Sequence, residues 1–197
     1  ENVVICGGMW SRQLGASAGI NLPLQAAEHY YLITENVEGL SRDLPVLEDP
    51  KTYTYYREEM GGLMLGLFEP GAAPWKLDSI PDDFSFGEIE PDWDRVTPHL
   101  EMAYSRVPST LDIGVRKLFC GPESFTPDLA PLVGETPELR NCFVACGMNS
   151  LGILNGAGTG RFWRIGSWMA FRRLTSPVSM STASPRTKRP ARFAATV

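Results

Sequence analysis

The sequence predicts an α+β fold built mainly on antiparallel sheet, and three observations point there. Short runs rich in aromatic and β-branched residues recur between turn residues, as half-buried strands do. Two further strand candidates, at 52–57 and 63–68, are joined across Gly61-Gly62, which suits a hairpin. The chain has no internal repeat that would favour a solenoid or propeller.

The elements follow in order. Residues 3–6 read as a short buried strand, and Gly7-Gly8 lets the backbone turn before a helix over 10–18. Residues 22–34, around Glu28-His29-Tyr30-Tyr31, form the next strand candidate, followed by the 52–57 and 63–68 pair with its connection over 58–62. Residues 69–91, with Pro70, Pro74, Pro81 and Pro91 among several acids, read as a long surface loop. A helix over 92–107 offers Trp93, Val96, Leu100, Met102, Ala103 and Val107 to its buried face and stops at Pro108. Residues 114–120 return to strand, the Pro-containing 121–135 is irregular, 141–146 is strand again, and a glycine-rich helix begins over 152–160.

Composition narrows the class of protein. With 43% hydrophobic content, 197 residues suffice for one respectable core or two small ones, so disorder throughout is not expected. No run of 18 apolar residues exists to span a bilayer, and no membrane partner is expected. The opening Glu1-Asn2-Val3-Val4-Ile5-Cys6 reads as a chain entered in mid-strand, so the chain is expected to be a fragment of a longer protein. Cys6, Cys120, Cys142 and Cys146 show no CxxC spacing and lie far in sequence from His29 and His99, so no metal site is expected and the thiols read as free.

Charge is unevenly spread. Residues 161–197 hold eight of the 18 Lys and Arg and none of the 23 Asp and Glu, which leaves the first 160 residues at −13. Such a basic segment ordinarily suggests an arm for nucleic acid or membrane.

Several residues invite chemistry, each with a plainer reading beside it. The Gly7-Gly8 turn bares backbone at a strand end, which suits a bound dinucleotide or simply a tight turn under Trp10. Gly147, Met148, Asn149, Ser150, Leu151 and Gly152 lead into a helix, where unpaired N–H groups and the helix dipole favour negative charge; close packing of a glycine-rich helix is the alternative. A histidine side chain ordinarily titrates near neutrality, so His29 suits proton transfer, although a lone histidine on an apolar strand is also at home in a core. Tyr53 and Arg57 share the parity of Tyr55 and hence its face, which makes Arg57 a candidate for a substrate carboxylate or an exposed strand-end cation. His99, in the second helix, reads as solvated or capping, and Asp128 in Thr126-Pro127-Asp128 as a turn former that binds nearby backbone.

Four segments together carry a family resemblance over residues 3–160: Gly7-Gly8-Met9-Trp10, Glu28-His29-Tyr30-Tyr31, Cys120-Gly121-Pro122-Glu123-Ser124-Phe125-Thr126-Pro127-Asp128 and Gly147-Met148-Asn149-Ser150-Leu151-Gly152. In order and spacing they resemble the flavin domain of the sarcosine and dimethylglycine dehydrogenase family, within the D-amino-acid-oxidase-like flavoproteins. The resemblance implies a piece of an FAD-dependent dehydrogenase acting on CH–NH donors, which oxidises sarcosine or dimethylglycine by hydride transfer to flavin and passes electrons to a carrier. It implies that Gly7, Gly8, Trp10 and residues 147–152 contact FAD, that His29 and Tyr55 are catalytic, and that Arg57 holds substrate. Residues 1–18 and 121–165 would then belong to an FAD-binding domain, and 19–120 to an antiparallel substrate domain.

A GxGxxG pyrophosphate motif after a first strand is missing, and Gly156-Ala157-Gly158-Thr159-Gly160-Arg161 only echoes it. The fragment is therefore expected to be inactive alone; tetrahydrofolate would concern only a further module of the longer protein. From Arg161 the family pattern is lost. With one choice of synonymous codons, reading two bases later spells VLADWIVDGVPP, close to the expected continuation. Residues 166–197 are accordingly expected to be a disordered, frameshifted tail that binds no nucleic acid. The rival implied by the same resemblance is an interaction protein like the regulatory subunit of pyruvate dehydrogenase phosphatase. The compartment stays open between bacterial cytoplasm and mitochondrial matrix.

Overall fold

The computed structural model describes residues 2–164, so the expectations for residues 166–197 lie outside the described residues. The described residues divide into two compact units, one formed by residues 2–27, 73–84 and 123–164 and the other by 28–72 and 85–122.

In the first unit, strand β1 (Val3–Ile5) runs parallel to β8 (Cys142–Cys146), which pairs antiparallel with β7 (Leu132–Glu135). Ile5, Val144, Cys142, Cys146 and Leu132 share a core with Ile20, Leu22 and Leu24. Only Ile5 of β1 is buried; Val3 and Val4 are exposed, so the expected buried strand is buried at one end only. Gly7-Gly8 turns the chain into a single 3-10 turn, Gly8–Trp10, and then helix α1 (Ser11–Ser17). Helix α3 (Gly152–Arg164) closes the described chain.

The second unit is a five-stranded sheet in the order β3-β4-β5-β2-β6. Its strands are β2 (Gln25–Asn36), β3 (Leu47–Asp49), β4 (Thr54–Glu59), β5 (Gly62–Leu67) and β6 (Val115–Phe125); the first residues of β2 and the last of β6 belong to the first unit. The β2–β5 and β4–β5 pairings are antiparallel, in keeping with the antiparallel sheet expected from sequence, and so is the β3–β4 pairing, whose strand β3 the sequence did not indicate. The β4–β5 hairpin is tighter than the expected 58–62 connection: Glu59 pairs with Gly62, leaving Met60 and Gly61 at the tip, both with positive φ (53° and 85°). That left-handed pair is what a two-residue hairpin turn requires.

Helix α2 (Trp93–Arg106) packs on one face of this sheet, where Val96, Leu100 and Ala103 join Leu32, Leu65, Leu67 and Leu118 in the core. Asp92 caps it by accepting a hydrogen bond from the Arg95 N–H at 3.1 Å, and Pro98 is accommodated inside it. Two residues expected on its buried face are not there. Trp93 is half exposed and Met102 lies outside the core, because the seam at 96, 100 and 103 already fills the narrow stripe that meets the sheet.

The expected irregular stretch 121–135 needs the largest correction. β6 continues through Pro122 to Phe125, and β7 occupies Leu132–Glu135. β6 is the edge of its sheet, and an edge strand tolerates a proline that has no N–H to donate.

Candidate functional site

In the second unit, alternation along β2, β4 and β5 sends His29, Tyr31, Tyr55 and Gly66 to the face opposite α2. Phe68, just past β5, collects the two predicted catalytic side chains. Its ring centroid lies 5.5 Å from that of His29 and 5.3 Å from that of Tyr55, both tilted. Tyr31 stacks on Phe119 at 4.7 Å. Gly66 is cross-strand partner to both Tyr55 and Tyr31. A Cβ on Gly66 would stand 1.8 Å from Cζ of Tyr55, so the phenol ring lies directly over bare backbone. The glycine here is a steric requirement of the tyrosine's position.

Beside His29 stands Glu69. Its Oε2 is 3.9 Å from His29 Nδ1, and the two side chains are only 12% and 4% exposed, His29 first. This carboxylate was not among the residues singled out from sequence, because it falls at the start of a stretch that reads as surface loop. The available signal was an acid placed directly after an unbroken apolar strand and before Pro70.

Arg57 does not join this group. It is exposed, ion-paired to Glu59 at 2.5 Å, and donates through Nε to Met64 Sδ at 3.3 Å. Tyr53 has a φ of 55° and precedes β4, so strand parity does not carry it to the face of Tyr55. His99 does not cap α2, a role Asp92 fills. It is half-buried within α2, its Nδ1 has no hydrogen-bond partner among the described residues, and burial and then the charge of Arg95 hold its pKa below the ordinary value.

Under the sheet, on the α2 side, lies a second polar group that the sequence analysis missed. Tyr30 donates its hydroxyl to Glu28 at 2.8 Å and accepts from Arg95 Nη2 at 2.8 Å and from the Asp92 N–H at 3.2 Å. Arg95 also pairs directly with Glu28. Burial drives the Tyr30 phenol well above its usual range, although the Asp92 N–H opposes this. For Arg95 burial works against the charge, and the charges of Tyr30, Glu28 and Glu69 outweigh it, so its pKa is raised.

In the first unit, the predicted cofactor residues fall into two places. Gly7 and Gly8 form the turn between β1 and α1; Gly8 has φ 55° with open space where a Cβ would stand, and Trp10 beyond it is 42% exposed. Residues 147–152 form the turn from β8 into α3. Gly147 (φ 65°) is crowded, since a Cβ there would meet Thr126 at 2.6 Å and Leu24 at 2.7 Å. Asn149 and Ser150 also take left-handed backbone, with φ of 50° and 66°. The Asn149 side chain holds this turn: its Oδ1 accepts from the Thr126 N–H at 2.8 Å, and its Nδ2 donates to the Gly147 carbonyl at 2.6 Å. Ser150 Oγ donates to Glu123. The N–H groups of Asn149 and Leu151 are used internally, to the carbonyls of Ser124 and Met148. Those two engaged donors break the run of consecutive free N–H groups expected over 147–152. Asp128 accepts from the Ala130 N–H at 3.1 Å, the turn role predicted for it.

The glycine-rich echo at 156–160 lies inside α3, so its amides serve the helix and form no phosphate loop. All four cysteines are free; Cys6 is exposed and the others are buried. No helix among the described residues is long and apolar enough to cross a membrane.

The FAD dependent oxidoreductase family matches residues 1–162. The chain belongs to that family. It is 40% identical over 171 residues to mitochondrial sarcosine dehydrogenase of Mus musculus, covering 87% of this chain and 18% of that protein. It is 40% identical to the formaldehyde-forming 4-methylaminobutanoate oxidase of Paenarthrobacter nicotinovorans, over 82% of this chain and 19% of that one. The mitochondrial pyruvate dehydrogenase phosphatase regulatory subunit of Mus musculus is 33% identical over 85% of this chain and 19% of its own length. The chain thus spans about a fifth of each of these curated relatives. Among solved structures, iminodiacetate oxidase from Chelativorans sp. BNC1 superposes with a TM-score of 0.62 at 15% identity, covering 82% of this chain and 40% of that one, which shows the shared fold.

The family implies FAD, and the residues present suit part of it. An unobstructed left-handed glycine at a strand end permits close approach of a flat ligand, and amides at a helix start suit an electron-rich ring edge. Among the described residues no GxGxxG turn of the pyrophosphate-binding kind follows a strand.

Proposed function

We propose that the protein to which this chain belongs oxidises a small N-methyl amine, of the sarcosine or dimethylglycine kind, with the amine taken on the His29 and Tyr55 face of the five-stranded sheet. The observation that carries this reading is the placing of an imidazole and a phenol around the single ring of Phe68. In aqueous solution near neutrality such an amine is protonated, and its nitrogen lone pair must be freed before a C–H bond beside it can be broken. His29 takes or relays that proton, and Tyr55 orients the amine or its carboxylate through its hydroxyl. FAD, when bound, supplies the acceptor for the hydride that leaves the carbon next to nitrogen; water then hydrolyses the C=N bond of the oxidised amine to release formaldehyde. Residues 7–10 and 147–152 of the first unit would contact the cofactor, with the N–H groups at the start of α3 favouring negative charge there. Arg57 could hold a substrate carboxylate only by leaving Glu59, so the proposal rests on His29 and Tyr55. Electrons would pass on to a separate carrier.

The test is anaerobic mixing of the longer, flavin-loaded protein with sarcosine, dimethylglycine or 4-methylaminobutanoate while the flavin absorbance is followed. At least one amine should bleach it, and His29→Gln should slow bleaching by about 10²–10⁴-fold. A second reading, a non-catalytic regulatory protein, is favoured by the 33% identity to the phosphatase regulatory subunit. A flavin that none of the three amines reduces would decide for it.

A further inference from the structure

Glu69 lies two residues past β5 and is 7% exposed, a position where an ionised carboxylate is costly unless other charges compensate. Two groups on different faces of the sheet bear on it. His29 stands 3.9 Å away, within ion-pair range, on the face opposite α2. From the α2 side the positive charge of Arg95 interacts with it, and Glu69 in turn acts on the Cys120 thiol. Arg95 is itself fixed by Glu28 and Tyr30. Glu69 is therefore a buried acidic group within ion-pair range of His29.

We infer that Glu69 is a positioning residue for His29: its buried carboxylate stands against the Nδ1 edge of the imidazole and, when ionised, sets the pH at which His29 takes up a proton. An anion beside an imidazole favours the imidazolium, which makes His29 a stronger base toward an ammonium substrate. Other titratable groups near this pair have weaker claims. Tyr55 shares the Phe68 ring with His29. Burial raises the Cys120 thiol to about 11 and drives the Tyr30 phenol higher still, so both are neutral at ordinary pH. Glu28 is engaged by Arg95 and Tyr30.

The inference rests on the reading of His29 as the proton-handling group, and the test separates the two. His29 and His99 are the only histidines, so imidazole NMR of the full chain needs one variant, His99→Asn, for assignment. Glu69→Gln should move the His29 titration midpoint to lower pH, and the acid limb of the kcat/KM profile of the flavin-loaded protein should move by the same interval. Should Glu69→Gln fail to fold, Glu69→Asp, which draws the charge back by one methylene, should move the midpoint in the same direction by less. A midpoint that stays in place in whichever variant folds overturns the inference. Full amine oxidation by His29→Gln would instead sink the reading of His29 and leave the Glu69 coupling measured by NMR standing.

Discussion

On the α2 side of the five-stranded sheet, Leu32, Leu65 and Leu67 are fully buried, and the two tyrosine hydroxyls there are hydrogen-bonded, Tyr30 to three partners and Tyr56 to the Ala103 carbonyl and Thr54. On the other side the same strands carry His29, Tyr31 and Tyr55, all only partly buried, around a glycine and two phenylalanines. One face is filled to hold the unit together. The other keeps aromatic and titratable groups at the surface of a rigid support, which is how a fold can present chemistry without weakening its core.

Substitutions sharpen that contrast. Leu65→Ala, at a site with no exposure, should cost about 2–5 kcal/mol in urea unfolding, while the His29 titration in the folded fraction stays where it was. A loss below about 1 kcal/mol would mean that the α2 face is not the stabilising one. Gly66→Ala should cost less, about 1–3 kcal/mol, because the new methyl must displace a ring at the partly buried face. Its effect on flavin reduction by amine should exceed its effect on stability, and an unaltered reduction rate would argue that the seat of Tyr55 is immaterial. Asp92→Ala, which removes only the cap of α2, should cost about 1 kcal/mol by thermal unfolding and leave amine oxidation untouched.

The smallest effect concerns protonation. Burial raises the Cys120 and Cys146 thiols from 9.0 to about 11, so the folded chain keeps protons that the unfolded chain loses. Their contribution to stability is full below pH 9 and is lost as the pH rises through about 11. In the native state at pH 8 a thiol reagent should therefore modify one cysteine, Cys6, and reach the other three only on unfolding. Four equivalents reacting at once would refute the burial of the α2-side Cys120.

Much of this arrangement was legible in the sequence. β2 and β4 follow from aromatic and β-branched runs bounded by turn residues, β5 from an apolar run after Gly61-Gly62, and α2 from an apolar period through Val96, Leu100 and Ala103 that stops at Pro108. His29 and Tyr55 were found through a resemblance, since nothing local marks a strand histidine as more than a core residue. What stayed hidden depends on distant neighbours. Pro122 signals irregular structure unless β6 is known to be an edge, and β3 and β7, with three and four residues, are too short for a period. Glu69 and Arg95 lie 26 residues apart, and no spacing rule joins a loop acid to the first turn of a helix. The donor run at 147–152 was overestimated because Ser124, which takes the Asn149 N–H, lies 25 residues earlier.

The wiring of Asn149 leaves that position almost no chemical latitude. One terminus of its side-chain amide must receive a proton from Thr126 while the other must give one to Gly147, from a backbone at φ 50° that few residues occupy willingly. An aspartate would match the shape and turn a donor into a repelling oxygen; a serine or alanine would be too short to span both contacts. The bend ahead of α3 is thus formed before any ligand arrives, and whatever docks against it meets a surface that has no ordering left to do.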